Sequence, residues 1–190
     1  MRTYKSILRC KALLLSVFLI SALCLAGGVP LQAQAQEGIV VVIDPGHGGF
    51  GGANEGGKFG QNVEKYLTLL TAQAMKETLE QFEGVTVYLT RKQDQAVSLA
   101  DRAAIADTYH ADFMFSLHYN MEVWTSAFGS DYEAGQTFAG IHLQAMQENY
   151  GLHNRGAKVR LDSKGKQDYY GVIRAAHQYH IPCVIIEHCY

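Results

Sequence analysis

The stretch IVVVIDPGHGGFGG, Ile39 to Gly52, decides how this chain is read. Five apolar β-formers run without alternation into Asp44 and Pro45, and five glycines then fall within seven residues around His47. A continuous Val/Ile run is the mark of a strand covered on both faces, as in a parallel sheet. The glycines allow three readings: a phosphate cradle, a plain turn, or a frame for His47. A phosphate loop of the GxxxxGK[ST] kind needs Lys and Ser/Thr opening a helix, and these are missing here. Nor do the glycines lead straight into a helix, as a dinucleotide-binding loop requires.

Outward from that strand, the apolar period changes to helical from Asn62 to Phe82, where Val63, Leu67, Leu70, Ala74, Met75, Leu79 and Phe82 share one side. Asn62 is the expected N-cap, Glu64 lies in the first turn, and Gly84 closes the helix. Val85 to Leu89 alternates as a second strand. Leu99 to Tyr109 predicts a second helix with Leu99, Ala103 and Ala106 inward, and Asp112 to Leu117 a third strand. Met121 to Gln136 and Asn154 to Asp168 read as polar connections on either side of a helix near Thr137 to Tyr150. A short helix at Ile173 to Tyr179 and a buried strand at Pro182 to Ile186 close the series. Strands alternating with helices imply βαβ crossovers. The expected fold is α/β: a single domain with a mainly parallel twisted sheet flanked by helices, and its active site at the strand carboxyl ends.

Residues 1–36 stand apart. Arg2, Lys5, Arg9 and Lys11 precede the apolar run Ala12 to Ala26, and Ala33-Gln34-Ala35 fits a cleavage site. That order predicts a secretory signal peptide over 1–36, a domain over 37–190 and an exported product. The apolar run is shorter than the ~20 residues of a membrane span, so no stable span is expected after cleavage. From Glu37 onward 12 basic residues face 18 acidic ones, a net charge of −6, which argues against nucleic acid as a partner. Cys10 and Cys24 leave with the signal, and Cys183 and Cys189 lie in one extended segment, so no disulfide framework is expected.

The strands end on chemistry. The first runs out at Asp44-Pro45-Gly46-His47, the third at Ser116-Leu117-His118 and the last at Ile186-Glu187-His188. Parallel strands share a carboxyl edge, and the helix after the first strand starts there, so His47, Glu64, His118 and Glu187 converge, with His188 as a spare. Two imidazoles and a carboxylate make a catalytic zinc set, and a second carboxylate that does not ligate can move protons. Each has a plainer reading: a turn decoration for His47, a helix-dipole acid for Glu64, a half-buried core histidine for His118. Glu187 is harder to explain so, because a carboxylate ending a Cys-Val-Ile-Ile run is costly to bury unpartnered. Arg91, ending the second strand, is a candidate for a substrate carboxylate, or else an ion pair with Asp94 or Asp44. Arg102 reads as structural; His110, His142, His153, His177 and His180 read as surface residues. Trp124 and Tyr132 form a sugar- or peptide-facing wall or simply pack on the core.

These residues together resemble a family. DPGHGG after an apolar strand, Glu64-Lys65, Val87-Tyr88-Leu89-Thr90-Arg91, Leu99-x-x-Arg102, Ser116-Leu117-His118 and Pro182-x-Val-Ile-Ile-Glu187 are similar to the zinc-dependent N-acetylmuramoyl-L-alanine amidases of the amidase-3 type. The resemblance covers about Ile39 to Tyr190 and implies a phosphorylase/hydrolase-like fold. It implies Zn2+ on His47, Glu64 and His118, with Glu187 as catalytic base in preference to His188. Asn120 and Arg91 are its candidate substrate-binding residues. It implies peptidoglycan, glycan strand and stem peptide, as the partner, with cleavage of the amide between N-acetylmuramic acid and L-alanine, and an extracellular, cell-wall or periplasmic location. Tyr119-Asn120, Asp107 and Glu187-His188-Cys189-Tyr190 depart from the family's usual Ala-Asn, Asn and Glu-Leu-Gly-Phe. Family members also continue beyond the last strand into a closing helix, which the resemblance implies is missing here. Two alternatives stay open: a zinc hydrolase on another wall bond (deacetylase or carboxypeptidase), and an inactive peptidoglycan-binding remnant.

Overall fold

A computed structural model describes residues 38–120 and 122–188. The expected signal peptide, with Cys10 and Cys24, and the final Cys189 and Tyr190 lie outside the described residues. Among the described residues eight strands and four α-helices follow one another: β1 (Ile39–Pro45), β2 (Lys58–Phe59), β3 (Asn62–Val63), α1 (Glu64–Leu79), β4 (Val85–Leu89), α2 (Leu99–Thr108), β5 (Phe113–Tyr119), β6 (Val123–Thr125), α3 (Gly129–Tyr150), β7 (Ala157–Lys158), α4 (Gly171–His177) and β8 (Cys183–His188). Six of the strands form one sheet in the order β4-β1-β5-β8-β6-β7. β4, β1, β5 and β8 run parallel, and β6 pairs antiparallel with β8. Among the described residues no helix is long and apolar enough to cross a membrane.

The unbroken apolar strands are explained by cover on both faces. Val41, Ile43, Phe115, Leu117, Val184 and Ile186 pack under α1 and α3. Val42, Met114, Cys183 and Ile185 pack under α2 and α4. The expected single α/β domain with a mainly parallel sheet is therefore present, with two strands, β6 and β7, reversed at one edge.

Three local expectations differ from what the chain does. The first turns of α1 turn a different face inward: Lys65, Thr68 and Ala72 are buried, while Leu70, and Phe82 past the helix end, are 66% and 63% exposed; Met75 and Leu79 pack on the core as expected. Its start lies over the glycine turn, where polar partners are needed, and Val63 rather than Asn62 is its N-cap. Leu99 is likewise exposed, although Ala103 and Ala106 are buried as expected. The connection over residues 121–136 is β6 and the first turns of α3. The inner face of that helix there is Asp131, Ala134 and Gly135, too small and polar to show an apolar period. Gly135 meets Thr125 of β6 so closely that a Cβ would lie 2.9 Å from its side chain.

Candidate active site

Parallel pairing sets the site. Asp44 of β1 lies beside Ser116 of β5, and His118 of β5 beside Glu187 of β8. Below the edge, Asp44 is 1% exposed and accepts hydrogen bonds from Thr90 (2.5 Å), Arg102 (2.5 Å) and Ser116 (2.7 Å). Arg102 also donates to the carbonyls of Pro45 and His47, and Arg91 to those of Pro45, Gly46, Lys65 and Gln93. Two buried guanidiniums thus hold the carbonyls of residues 45–47, which places His47 in a left-handed conformation with φ of 62°. Beside it, Lys65 donates to the Gly49 carbonyl and to Asp94, which in turn accepts from the Gly49 amide.

The glycines make room for ring and carboxylate. A Cβ on Gly46 would lie 2.4 Å from the His118 ring, and one on Gly56 would lie 2.6 Å from Glu64 Oε2. The cluster is therefore a frame. Three donors meet inside it: His47 Nε2 lies 3.3 Å from Glu64 Oε1, His118 Nδ1 lies 3.2 Å from the same oxygen, and the two nitrogens are 3.1 Å apart. Glu64 Oε1 also accepts from the Tyr119 amide and Oε2 from the Gly57 amide.

His47 Nδ1 lies 2.7 Å from the Ala53 carbonyl, an acceptor only, so it carries the proton. A neutral His47 then presents a lone pair at Nε2 to a carboxylate, and two acceptors at that distance need a cation between them. A proton is one such cation: burial draws the His47 pKa down, but Glu64 and Ala53 outweigh it and the net shift is upward. Burial raises the Glu64 pKa, yet His118, His47 and the Gly57 amide hold it well below the ordinary carboxylate range. A metal ion is the other. Tetrahedral zinc with bonds of about 2.0–2.2 Å spaces its ligands about 3.3–3.6 Å apart, close to the triangle found. Among the described residues this His/Glu/His group is the one whose donors gather closely enough to hold a metal ion.

Comparison with known proteins identifies the family of the fold. The pattern of the amidase-3 family, described as N-acetylmuramoyl-L-alanine amidase, matches residues 41–190. The chain belongs to this family. A probable cell wall amidase LytH of Staphylococcus aureus is 36% identical over 157 residues, covering 80% of this chain and 47% of that protein. A sporulation-specific N-acetylmuramoyl-L-alanine amidase of Bacillus subtilis (strain 168) is 43% identical over 84 residues, covering 43% of this chain and 31% of its own. The chain thus spans a third to a half of these relatives. The crystal structure of an N-acetylmuramoyl-L-alanine amidase from Clostridium difficile 630 aligns with a TM-score of 0.64 at 25% identity, over 80% of each chain.

In this amidase-family domain the fourth candidate, Glu187, shares a sheet face with His118, its partner in register. Burial pushes its pKa up; His118 pulls it down, and Glu64 and Glu122 push it further up. His188 points to the other face, against Tyr119 and His142. His142 is half-buried there, contrary to its reading as a surface residue, and burial lowers its pKa. His177 too is engaged, with Nδ1 2.6 Å from the buried Asp131.

Arg91 does not fit its role as a substrate ligand. It is 1% exposed and its guanidinium is spent on backbone carbonyls and Thr68, so a substrate carboxylate has no access to it. Neither alternative ion pair forms either, since Asp44 takes Arg102 and Asp94 takes Lys65. Asn120 follows β5 at the same edge and is exposed. Sequence reasoning passed over Lys65 and Asp94 as braces of the glycine turn. A lysine directly after the candidate ligand Glu64, at a helix start where an amine opposes the dipole, was the available signal.

Proposed function

We propose that residues 37–190 form the catalytic domain of an exported amidase. It hydrolyses the amide between the lactyl group of N-acetylmuramic acid and the L-alanine of the peptidoglycan stem peptide. The observation that carries this reading is the donor triangle of His47, Glu64 and His118 with Glu187 on the neighbouring strand. The basic, apolar, small-residue order of residues 1–36 supports export.

His47, Glu64 and His118 would hold zinc, which when bound supplies a Lewis acid for the scissile carbonyl and lowers the pKa of water to about 7. The Ala53 carbonyl fixes the His47 tautomer, and the Gly57 and Tyr119 amides fix the Glu64 carboxylate. Glu187, made more basic by burial, takes the proton of the attacking water and passes it to the departing L-alanine amine. Exposed Asn120 beside His118 orients the substrate.

The test is digestion of purified peptidoglycan by metal-stripped and zinc-reloaded protein, with mass analysis of the products. Intact stem peptides with a free L-alanine amine are expected only after reloading. Release of acetate or of single terminal residues, or digestion by the stripped protein, would refute the assignment.

A further inference from the structure

With Arg91 buried, the cation that meets a substrate carboxylate lies elsewhere. Across the sheet from β8 come β6 and then β7, whose residues 124 and 158 are in register with each other and with Ile185. Trp124 thus shares the face of Glu187. Its ring lies 4.9 Å from that of Tyr170, and the Lys158 amine lies 5.5 Å above it. Lys158 is neutralised by an ion pair with Glu122.

Just past β7, Arg160 is exposed and its guanidinium carbon sits 3.7 Å from the centre of the Tyr169 ring. Among the described residues it makes no ion pair with a carboxylate. Stacking on a ring leaves the guanidinium edge to hydrogen-bond: one part of the fork meets the Tyr170 hydroxyl, and the remaining N–H groups can take a planar anion. The backbone beneath is fixed: Tyr169 donates to the Arg160 carbonyl, Arg174 to the carbonyls of Asp168 and Tyr169, and buried Asp168 accepts from Ser126 and Ala127. Burial raises the Tyr170 phenol pKa, a hydrogen bond from Arg160 pulls it back, and Glu187 and Glu122 push it up, so that hydroxyl feels both the cation and the candidate base.

We propose that Arg160, held over Tyr169 beside the Trp124–Tyr170 floor, is a specificity residue that binds a carboxylate on the peptide side of the scissile amide. Two strand spacings, about 10 Å, separate β8 from β7, the span of about three extended residues. The bound carboxylate therefore belongs to a residue beyond the L-alanine, and the floor carries the peptide between. Glu122 and Glu187 would repel that anion without a cation at this end. The inference rests on the amidase reading for the identity of the peptide.

Trp124 is the chain's single tryptophan, so its fluorescence reports this surface without any need for turnover. The probes are the free stem tripeptide, with its carboxylates, and the same peptide fully amidated. The tripeptide should perturb Trp124 emission saturably, and both Arg160→Gln and amidation should raise its Kd at least tenfold. With a soluble muropeptide substrate, Arg160→Gln should raise KM by a similar factor at nearly constant kcat. An unchanged Kd in Arg160→Gln, or equal binding of the amidated peptide by the parent protein, overturns the proposal. Arg160-independent binding with intact amide hydrolysis removes this inference alone. Arg160-dependent binding without amide hydrolysis removes the amidase reading and leaves the carboxylate site standing.

Discussion

Replacing Gly46 with alanine tests the frame reading directly. The new Cβ would lie 2.4 Å from His118 Cε1 and Nε2 and 2.6 Å from the Leu117 carbonyl. The backbone at Gly46 does not give way easily: its amide donates to Leu117 at 3.0 Å, and its carbonyl accepts from Thr68 at 2.8 Å and Arg91 at 2.9 Å. The imidazole must therefore recoil by about 1 Å to restore ordinary contact near 3.5 Å. Metal–ligand distances tolerate only about 0.2 Å, so one of three ligands is displaced. Loss of an outer partner alone lowers metal affinity about 10- to 100-fold; displacing a ligand should reach at least the upper end. Overpacking adds a destabilisation of about 1–3 kcal/mol. Zinc affinity by chelator competition, read beside the melting temperature, checks both effects. Gly140, where an added Cβ meets nothing within 4 Å, is the control: Gly140→Ala should bind zinc normally and gain about 0.5–1 kcal/mol. If Gly46→Ala binds zinc within threefold of the parent, the glycine turn is not shaped around His118.

Other outcomes follow from the same geometry. Glu187→Gln should keep zinc binding and lose at least a hundredfold in hydrolysis; full activity would remove Glu187 as base. Because burial raises the Glu187 pKa in the folded state, protonation favours folding and its contribution declines as pH rises from the ordinary carboxylate range through the raised value. Metal-free Glu187→Gln should accordingly melt higher than the parent at pH 7 and show no such gain at pH 3, as scanning calorimetry would show. Asp44→Ala strands the Arg102 guanidinium, 4% exposed, and should cost about 3–5 kcal/mol by urea unfolding; a loss under 1 kcal/mol would mean the network does not anchor the turn. Cys183 is fully buried with its pKa raised by desolvation, so iodoacetamide should modify it only in denaturant, as peptide mass mapping would reveal.

The site was largely legible because its residues follow long apolar strands. Once β1, β5 and β8 are recognised as parallel, His47, His118 and Glu187 must meet, whatever the loops do. What stayed hidden depends on contacts distant in sequence. Arg91 is buried because a turn some 45 residues earlier offers it carbonyls, and nothing near position 91 signals that. β6 has three residues in a polar stretch, and its strand character comes from pairing with β8 some 60 residues later. The inner face of α1 is polar over its first turns, at Glu64, Lys65 and Thr68, because they cover the glycine turn, a requirement that an apolar period does not register.

The order of the strands also bears on when the site comes into being. All three metal-binding candidates lie between residues 47 and 118, whereas Glu187 arrives with β8, last in sequence yet placed inside the sheet between β5 and β6. In a chain made N-terminus first, all three metal-binding candidates precede Glu187. Until β8 pairs with β5 and β6, the His47, Glu64 and His118 group stands without Glu187, so completion of the sheet is what brings the fourth candidate to the other three.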